Sequence, residues 1–356
     1  MLLDDLDRLQ QVDSQRMQEE IERLPDQLEQ AYTLGLNAPA PPRPDPLAQI
    51  VIAGMGGSAI GGDLLAAYVA DLCPVPILVH RDYGLPAFAR RQSTLVVCSS
   101  HSGNTEETLD SFEAARNAGC SLLALCTGGE LARRARQAGI PLWIFEHRGQ
   151  PRAALGFSFG FLLALLVRLG LIPDQTQDVQ QAVQAMRALQ QQLRPEVETV
   201  HNPAKRYAGQ LMERWVTVFG AGRLAPVARR MKTQINELAK AAATFEILPE
   251  ADHNTLAGTM QPADLLQTRT MHLFLRAPSD HPRNRLRSDL TRQHFLLEGA
   301  NTDVLDATGD GPLAHMWSLI LFGDYLAYYL AIAYGIDPTP VDALTQLKDS
   351  LSQSRR

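Results

Sequence analysis

Hydrophobic positions along the chain alternate between short, nearly unbroken apolar runs and longer segments in which apolar residues recur every three or four positions. The runs IVIAG at 50–54, PILVH at 76–80, TLVVCSS at 94–100, SLLALCT at 121–127 and PLWIFE at 141–146 predict strands, because a strand covered on both faces reads as continuous apolar sequence. The segments 59–69, 104–119 and 131–139 predict helices between them, and an apolar helix at 154–169 closes the series. Asn104 or Thr105 is expected near the N-cap of the second of these, with acids in its first turn. Strand–helix alternation of this kind predicts an α/β fold with a doubly wound parallel sheet. Upstream, residues 6–35 read as helical, with Met17, Ile21 and Leu24 at helical spacing and a break near Pro25. The segment APAPPRPDP at 38–46 then predicts a stiff, extended connection.

The plan repeats. A glutamine-rich helix at 176–193 leads to the strand WVTVFGAG at 215–222 and a helix at 223–241. Strands follow at 244–248, 271–275 and 302–307, and a second apolar helix at 313–334 closes this half. The first glycine turn, at Gly54, precedes Gly156 in the first apolar helix by 102 residues, and the second, at Gly220, precedes Gly323 by 103. The two apolar helices end alike, in LGLIPD and YGIDPT. Such an internal repeat predicts two similar units. The expected boundaries are an N-terminal helical segment at 1–37, a first α/β unit at 38–175, a bridging helical segment at 176–214, a second α/β unit at 215–340, and a C-terminal helix or tail at 341–356.

A length of 356 residues agrees with two domains, and 45% apolar with 20% charged residues is a globular composition. The apolar stretches 154–172 and 317–336 approach the length of a membrane span, but Arg168 and Asp324 would be costly at a bilayer centre, so both read as core helices. The N-terminus is acidic, unlike a signal peptide, and a cytoplasmic protein is expected. A net charge of −6 without a basic run argues against a nucleic-acid partner. A DNA-binding regulator would need a basic helix-turn-helix, and the segment before Pro39 offers an acidic-to-neutral helix instead. The four cysteines are too few and scattered for a disulfide framework, and three read as buried thiols.

Chemistry concentrates at two loops. GMGGSAIGGD at 54–63 carries five of the chain's 25 glycines between a strand and a helix, where the backbone can approach a ligand closely and helix N–H groups can face an anion. It lacks the GxxxxGK[ST] pattern of a nucleotide P-loop. GAGRLA at 220–225 fits a dinucleotide turn, but the acid that should follow about 20 residues on is missing from the end of the next strand, which argues against NAD. SSHSGNTEET at 99–108 places the hydroxyls of Ser100, Ser102 and Thr105 around Gly103 at a helix start. Together with Gly56, Gly57 and Ser58 these groups make an uncharged cradle for a phosphate monoester. In its local sequence Glu237 is a solvated helix glutamate with Lys240 at i+3 as ion-pair partner.

These motifs resemble the sugar isomerase (SIS) domain. QPRAALGFSFG at 150–160, INELAK at 235–240, LPEADHN at 248–254 and GDYLAYYLAIAYGIDPTPV at 323–341 narrow the likeness to the two-SIS-domain bifunctional phosphoglucose/phosphomannose isomerase family. The resemblance implies two flavodoxin-like SIS units and a ketol isomerase that needs no metal or other cofactor. It would interconvert glucose 6-phosphate, and mannose 6-phosphate as well, with fructose 6-phosphate. It implies Glu237 as the base between C1 and C2, His253 as the ring-opening residue, and Arg152 beside the enediolate oxygens. Thr308 and His315 would match the family's threonine and basic residue. A homodimer with its active site across the subunit interface is also implied. His101 stands where the family more usually has tyrosine, and GDGPLA at 309–314 has glycine where serine is common. The alternative is a non-catalytic sugar-phosphate sensor on the same domains.

Overall fold

The computed structural model describes residues 2–354. Three short helices open the chain: α1 (Leu6–Val12), α2 (Met17–Glu22) and α3 (Leu24–Asn37). The expected break near Pro25 lies between α2 and α3, where the proline occupies a first-turn position that needs no N–H partner. A second interruption, at Arg16 with φ of 58°, has no strong sequence mark.

The first half then runs β1 (Gln49–Ala53), α4 (Gly56–Tyr68), β2 (Ile77–His80), β3 (Thr94–Ser100), α5 (Glu106–Asn117), β4 (Ser121–Cys126), α6 (Gly129–Gln137), β5 (Leu142–Ile144) and α7 (Leu155–Arg168). Helices α8 (Thr176–Leu193) and α9 (Pro203–Leu211) lead to the second half. That half comprises β6 (Trp215–Ala221), α10 (Ala225–Leu238), β7 (Ala243–Leu248), α11 (Ala263–Arg269), β8 (Thr270–Arg276), α12 (Pro282–Leu297), β9 (Thr302–Asp306) and α13 (Gly311–Tyr334), and α14 (Asp342–Gln353) follows.

Among the described residues the strands form two wholly parallel sheets, ordered β2-β1-β3-β4-β5 and β7-β6-β8-β9. Central strands β1 and β3 are buried along their whole length, as their continuous apolar runs require. Alternate residues face opposite layers. Ile50, Ile52, Leu95, Val97, Leu123 and Leu125 join the large core shared with α3, α4, α7, α8, α10 and α13, while Val51, Val96, Cys98 and Ala124 pack beneath α5 and α6. In the second sheet Val216, Val218 and Leu273 face the shared core, and Phe219, Phe274 and Phe295 form the outer cluster. The two sheets thus sandwich one common helical layer.

Helices α7 and α13 form the middle of that layer. Glycines on α7 permit close approach: a Cβ at Gly156 would come within 2.6 Å of the Gln27 Cβ, and one at Gly160 within 2.7 Å of the Ala31 Cβ, both on α3. Helix α13 is long and apolar enough to cross a membrane, but 94% of its most apolar window is buried in the protein. Its Asp324 pairs with Arg230 of α10 at 2.9 Å, and both residues are buried.

Removing one member of a buried ion pair leaves the other charge without a partner. Asp324→Ala is therefore expected to cost about 3–5 kcal/mol in urea denaturation, and the apolar double replacement R230M/D324L to recover most of that loss.

Candidate active site

Strands β1 and β3 lie side by side, but the chain leaves them toward opposite edges of the sheet. This is the topological switch point, where a crevice opens beyond the C-terminal strand ends. Both candidate loops sit there. Gly54 is pressed to the neighbouring strand, since a Cβ would lie 2.6 Å from the Ser99 carbonyl oxygen. Gly56 adopts φ of 51°, and a Cβ on Gly57 would meet the Pro151 carbonyl oxygen at 2.8 Å. The turn is glycine-rich because backbone packs on backbone here.

Neither N-cap residue, Met55 for α4 or Thr105 for α5, caps its helix with its side chain. Thr105 is the N-cap residue of α5, yet its hydroxyl bonds to the Ser100 hydroxyl at 2.9 Å instead. Asn104, the other candidate cap, accepts the Glu130 N–H at 2.9 Å and so ties this loop to α6. The Gly103 N–H donates to the Ser100 hydroxyl oxygen at 3.1 Å, and φ at Gly103 is 68°. A Cβ there would overlap the Gly128 carbonyl oxygen, so glycine alone fits. Ser58 and Ser100 are buried, and Ser102 is exposed. The result is a set of hydroxyls between two helix starts, whose dipoles favour an anion.

Arg152 adjoins this cradle through Pro151 and Gly57. Its side chain is 4% exposed. Nη2 donates to the Pro338 carbonyl at 3.0 Å and to the Thr339 carbonyl, Nη1 donates to Gln150 at 3.3 Å, and Nη1 lies 3.9 Å from the Glu237 carboxylate. Burial lowers its proton affinity, and the Glu237 carboxylate opposes that shift. Glu237 arrives by helix packing. Arg229 of α10 pairs with Asp63 of α4 at 3.3 Å, and Arg223, just before α10, pairs with Asp71, just after α4, at 2.6 Å, so the two helices run antiparallel and the C-terminal end of α10 meets the N-terminal end of α4. The local ion pair with Lys240 does not form. Lys240 lies beyond the helix with φ of 52° and donates to the Leu238 and Asp337 carbonyls. Its pKa is lowered to about 8, chiefly by burial and then by Arg152.

An anion cradle, a buried guanidinium and a half-buried carboxylate thus share one crevice. Residues 200–351 match the family model described as the bacterial phospho-glucose isomerase C-terminal SIS domain. The chain is 39% identical over 340 residues to the bifunctional phosphoglucose/phosphomannose isomerase of Caldicellulosiruptor bescii, covering 95% of this chain and 99% of that one. The chain belongs to the bifunctional phosphoglucose/phosphomannose isomerase family.

The Aquifex aeolicus member is 33% identical, over 86% of this chain and 92% of its own. Among solved structures, a tagatose-6-phosphate ketose/aldose isomerase from Escherichia coli shares the fold at a TM-score of 0.69 and 16% identity, covering 91% and 95% of the two chains. A hypothetical protein of Thermus thermophilus does so at 0.75 and 14%, covering 98% and 94%.

Not every residue implied by the family reaches this crevice. Glu237 precedes β7 and His253 follows it, on an exposed 3-10 turn held by Asp252, which accepts from Arg287 at 2.8 Å and Thr291 at 2.7 Å. A six-residue strand separates the two edges by about 20 Å, so the chain does not bring its own His253 to its own Glu237. Thr308 and His315 must be placed differently from the expectation. They flank the start of α13, whereas Pro338 and Thr339, just past its end, are what touch Arg152. The 24 residues of that helix span about 36 Å. His315 is buried with both ring nitrogens engaged, Nδ1 with the Ser279 hydroxyl at 2.8 Å and Nε2 with the Gly309 carbonyl at 3.1 Å. Thr308 is exposed and donates its N–H to Ser318. The sequence reading passed over Thr339, which is 4% exposed with its hydroxyl unpartnered beside Arg152. The motif YGIDPT was visible as the end of the repeat and within the family likeness at 323–341, but neither gave its threonine a role.

Burial holds the His101 ring at about 4, below its ordinary 6.5. The unfolded chain therefore takes up that proton first as pH falls, and stability drops from pH 6.5 toward 4 and then levels. H101Q is expected to flatten the pH dependence of the urea midpoint within that window and leave it unchanged above about pH 7.

Proposed function

We propose that this chain acts as a cytoplasmic homodimer that interconverts glucose 6-phosphate and mannose 6-phosphate with fructose 6-phosphate. The observation that carries the reading is the placement of Glu237 and Arg152, 3.9 Å apart, beside the cradle of Gly56, Gly57, Ser58, Ser100, Ser102 and Thr105. Aldose–ketose isomerisation needs a remote phosphate anchor, a proton carrier between adjacent carbons and a fixed positive charge near the oxygens of those carbons, and the crevice supplies each.

The sugar phosphate binds with its phosphate on the hydroxyls and helix N–H groups. Once the ring is open, the Glu237 carboxylate removes the C2 proton of the aldose. The electron pair of that C–H bond forms the C1–C2 double bond, and the carbonyl π electrons move to O1. The anionic charge on the enediolate faces Arg152, which cannot lose its own proton at working pH. The O2 hydroxyl proton passes to O1, which moves the charge to O2. As the O2 electron pair re-forms a carbonyl at C2, the C1–C2 electron pair takes the proton from Glu237 at C1 and the ketose forms. Return to C2 after rotation about C2–C3 accounts for both epimers with one base. The reaction is redox-neutral and its proton transfers need no redox cofactor.

Ring opening falls to His253 of a second copy. Its exposed turn, the distance across β7, and the C-terminal helix α14, whose Leu344, Leu347 and Leu351 form an exposed stripe at helical spacing, all support a subunit interface. A sensor would use the cradle but has no need of a carboxylate facing a buried guanidinium.

A coupled assay with fructose 6-phosphate and both aldose phosphates, in EDTA, tests the reading. E237Q is expected to keep substrate binding while kcat falls about 10²–10⁴-fold. Near-normal turnover in that variant would remove Glu237 from the role of base. Mixing inactive E237Q and H253A chains after subunit exchange should restore about a quarter of wild-type activity, because half the dimers then carry one intact site. No recovery would place His253 outside a shared site.

A further inference from the structure

A second set of side chains ends on the phosphate cradle. Glu20, on α2, lies 2.9 Å from His147 Nε2, and His147 Nδ1 lies 2.9 Å from His101 Nε2. His101 is the residue between Ser100 and Ser102. Its carbonyl accepts both the N–H of Thr127 at 3.0 Å and the Thr127 hydroxyl at 2.7 Å, so its backbone is held on one side and its ring on the other. The rings sit against an aromatic wall: His101 meets Phe145 edge-on at 6.0 Å, His147 meets Phe157 edge-on at 5.8 Å, and the two phenylalanines stack at 4.9 Å. The carboxylate of Glu20 is seated on Gly149, where a Cβ would overlap it. That backbone continues through Gln150 and Pro151 into Arg152.

The direction of each hydrogen bond follows from the donor inventory. An ionised carboxylate only accepts, so His147 donates from Nε2. In a neutral ring its Nδ1 then holds the lone pair, and His101 must donate to it from Nε2. The bond from His147 holds Glu20 below the usual carboxylate range, and burial keeps His101 neutral, both in the sense this arrangement requires. The three groups come from α2, from the loop after β3 and from the loop after β5, and they join the two functional loops to the N-terminal helices.

We propose that Glu20, His147 and His101 are positioning residues, forming a hydrogen-bonded relay of fixed tautomers that holds the backbone between Ser100 and Ser102, and the approach to Arg152, in the geometry that receives a sugar phosphate. The ligand's identity rests on the isomerase reading above, whereas the tautomers do not. Loss of the carboxylate frees His147 to choose either tautomer, and the cradle loses its anchor before substrate arrives. The cost falls on binding more than on proton transfer, because Glu237 and its helix are untouched and Arg152 keeps its own bonds to Pro338, Thr339 and Arg230.

The test uses the full-length protein and the variants E20A, E20Q and H147A. One lost hydrogen bond shifts an equilibrium by about tenfold. E20A and H147A are therefore expected to raise KM for fructose 6-phosphate about tenfold while kcat changes less than about threefold. E20Q, whose amide oxygen still accepts from Nε2, should stay within about threefold of wild type in KM. Long-range ¹⁵N spectra of the ligand-free protein should show both rings protonated at Nε2, and E20A should lose that preference at His147. Unchanged KM in E20A and H147A, E20Q as impaired as E20A, or His147 protonated at Nδ1 would each overturn the relay. Wild-type protein that neither turns over nor binds fructose 6-phosphate by calorimetry would overturn the isomerase reading instead, and the ¹⁵N spectra would still decide the relay.

Discussion

The buried pair of Arg230 and Asp324 is the constraint on which the site depends. Two opposite charges withdrawn from water gain little net stability, because their desolvation offsets most of their attraction. What they supply here is position. Asp324 projects from the middle of α13 and Arg230 from α10, and the same guanidinium group donates to the Arg152 carbonyl at 2.8 Å. Three segments distant in sequence are thus joined at one point. Glu237 follows Arg230 by seven residues, two turns along the same face of α10. One end of that face holds the backbone of Arg152 while the other presents a carboxylate to its side chain. The 3.9 Å separation between the Glu237 carboxylate and the Arg152 guanidinium is therefore set by the rigid helix and by the buried pair, with little contribution from surface loops.

The same architecture explains why only the first half offers an open cradle. Strands β6 and β8 reproduce the switch point of β1 and β3, and Gly222, with φ of 52°, mirrors Gly56 at 51°. In the second half, however, the loop equivalent to Ser100–Thr105 fills itself. Asp280 accepts the Ala277 N–H at 2.7 Å, His281 caps α12 by accepting the Arg283 N–H at 3.2 Å, and Arg223 is paired with Asp71. A carboxylate already occupies the neighbourhood where an anion would enter, and like charges repel there. In the first half the N-cap residues Met55 and Thr105 do not cap their helices with their side chains, which leaves the helix starts open to a ligand.

Sequence pattern and structure agree where burial is symmetrical and part where position depends on distant contacts. The strands were legible because both faces of β1 and β3 are covered, which leaves a run such as IVIAG with no polar gap. Helix α12 was not, because only Ser288, Thr291 and Phe295 of its sixteen residues are buried and no apolar stripe develops. The placement of the glycine turn and the Ser100–Thr105 loop between strand ends and helix starts was legible because it is set locally. Glu237 was not legible by itself: Lys240 at i+3 looked like its partner, and only the end of α10 before Lys240 frees the carboxylate to face Arg152. Thr308 and His315 followed from motif order, but a helix of 24 residues lies between them and the residues that touch Arg152. Glu20 lies 127 positions from His147, and no spacing rule connects them.

The distribution of charge within the crevice matches what an isomerase must do. The phosphate is equally charged in aldose, enediolate and ketose, so a strong cation at that end would tighten all three alike and slow release without lowering the barrier between them. In the proposed reading the hydroxyls and helix dipoles of the cradle hold the dianion, and no lysine or arginine stands among Gly56–Ser58 and Ser100–Thr105. The permanent charge of Arg152 stands instead beside Glu237, where, in the proposed mechanism, negative charge appears only as the C2 proton leaves. In the proposed mechanism its buried, prearranged guanidinium acts there on the transition state and not on the ground state. In the proposed reading an acidic chain of net charge −6 is thus reconciled with a dianionic substrate: neutral dipoles do the holding, and the Arg152 guanidinium is reserved for the chemical step.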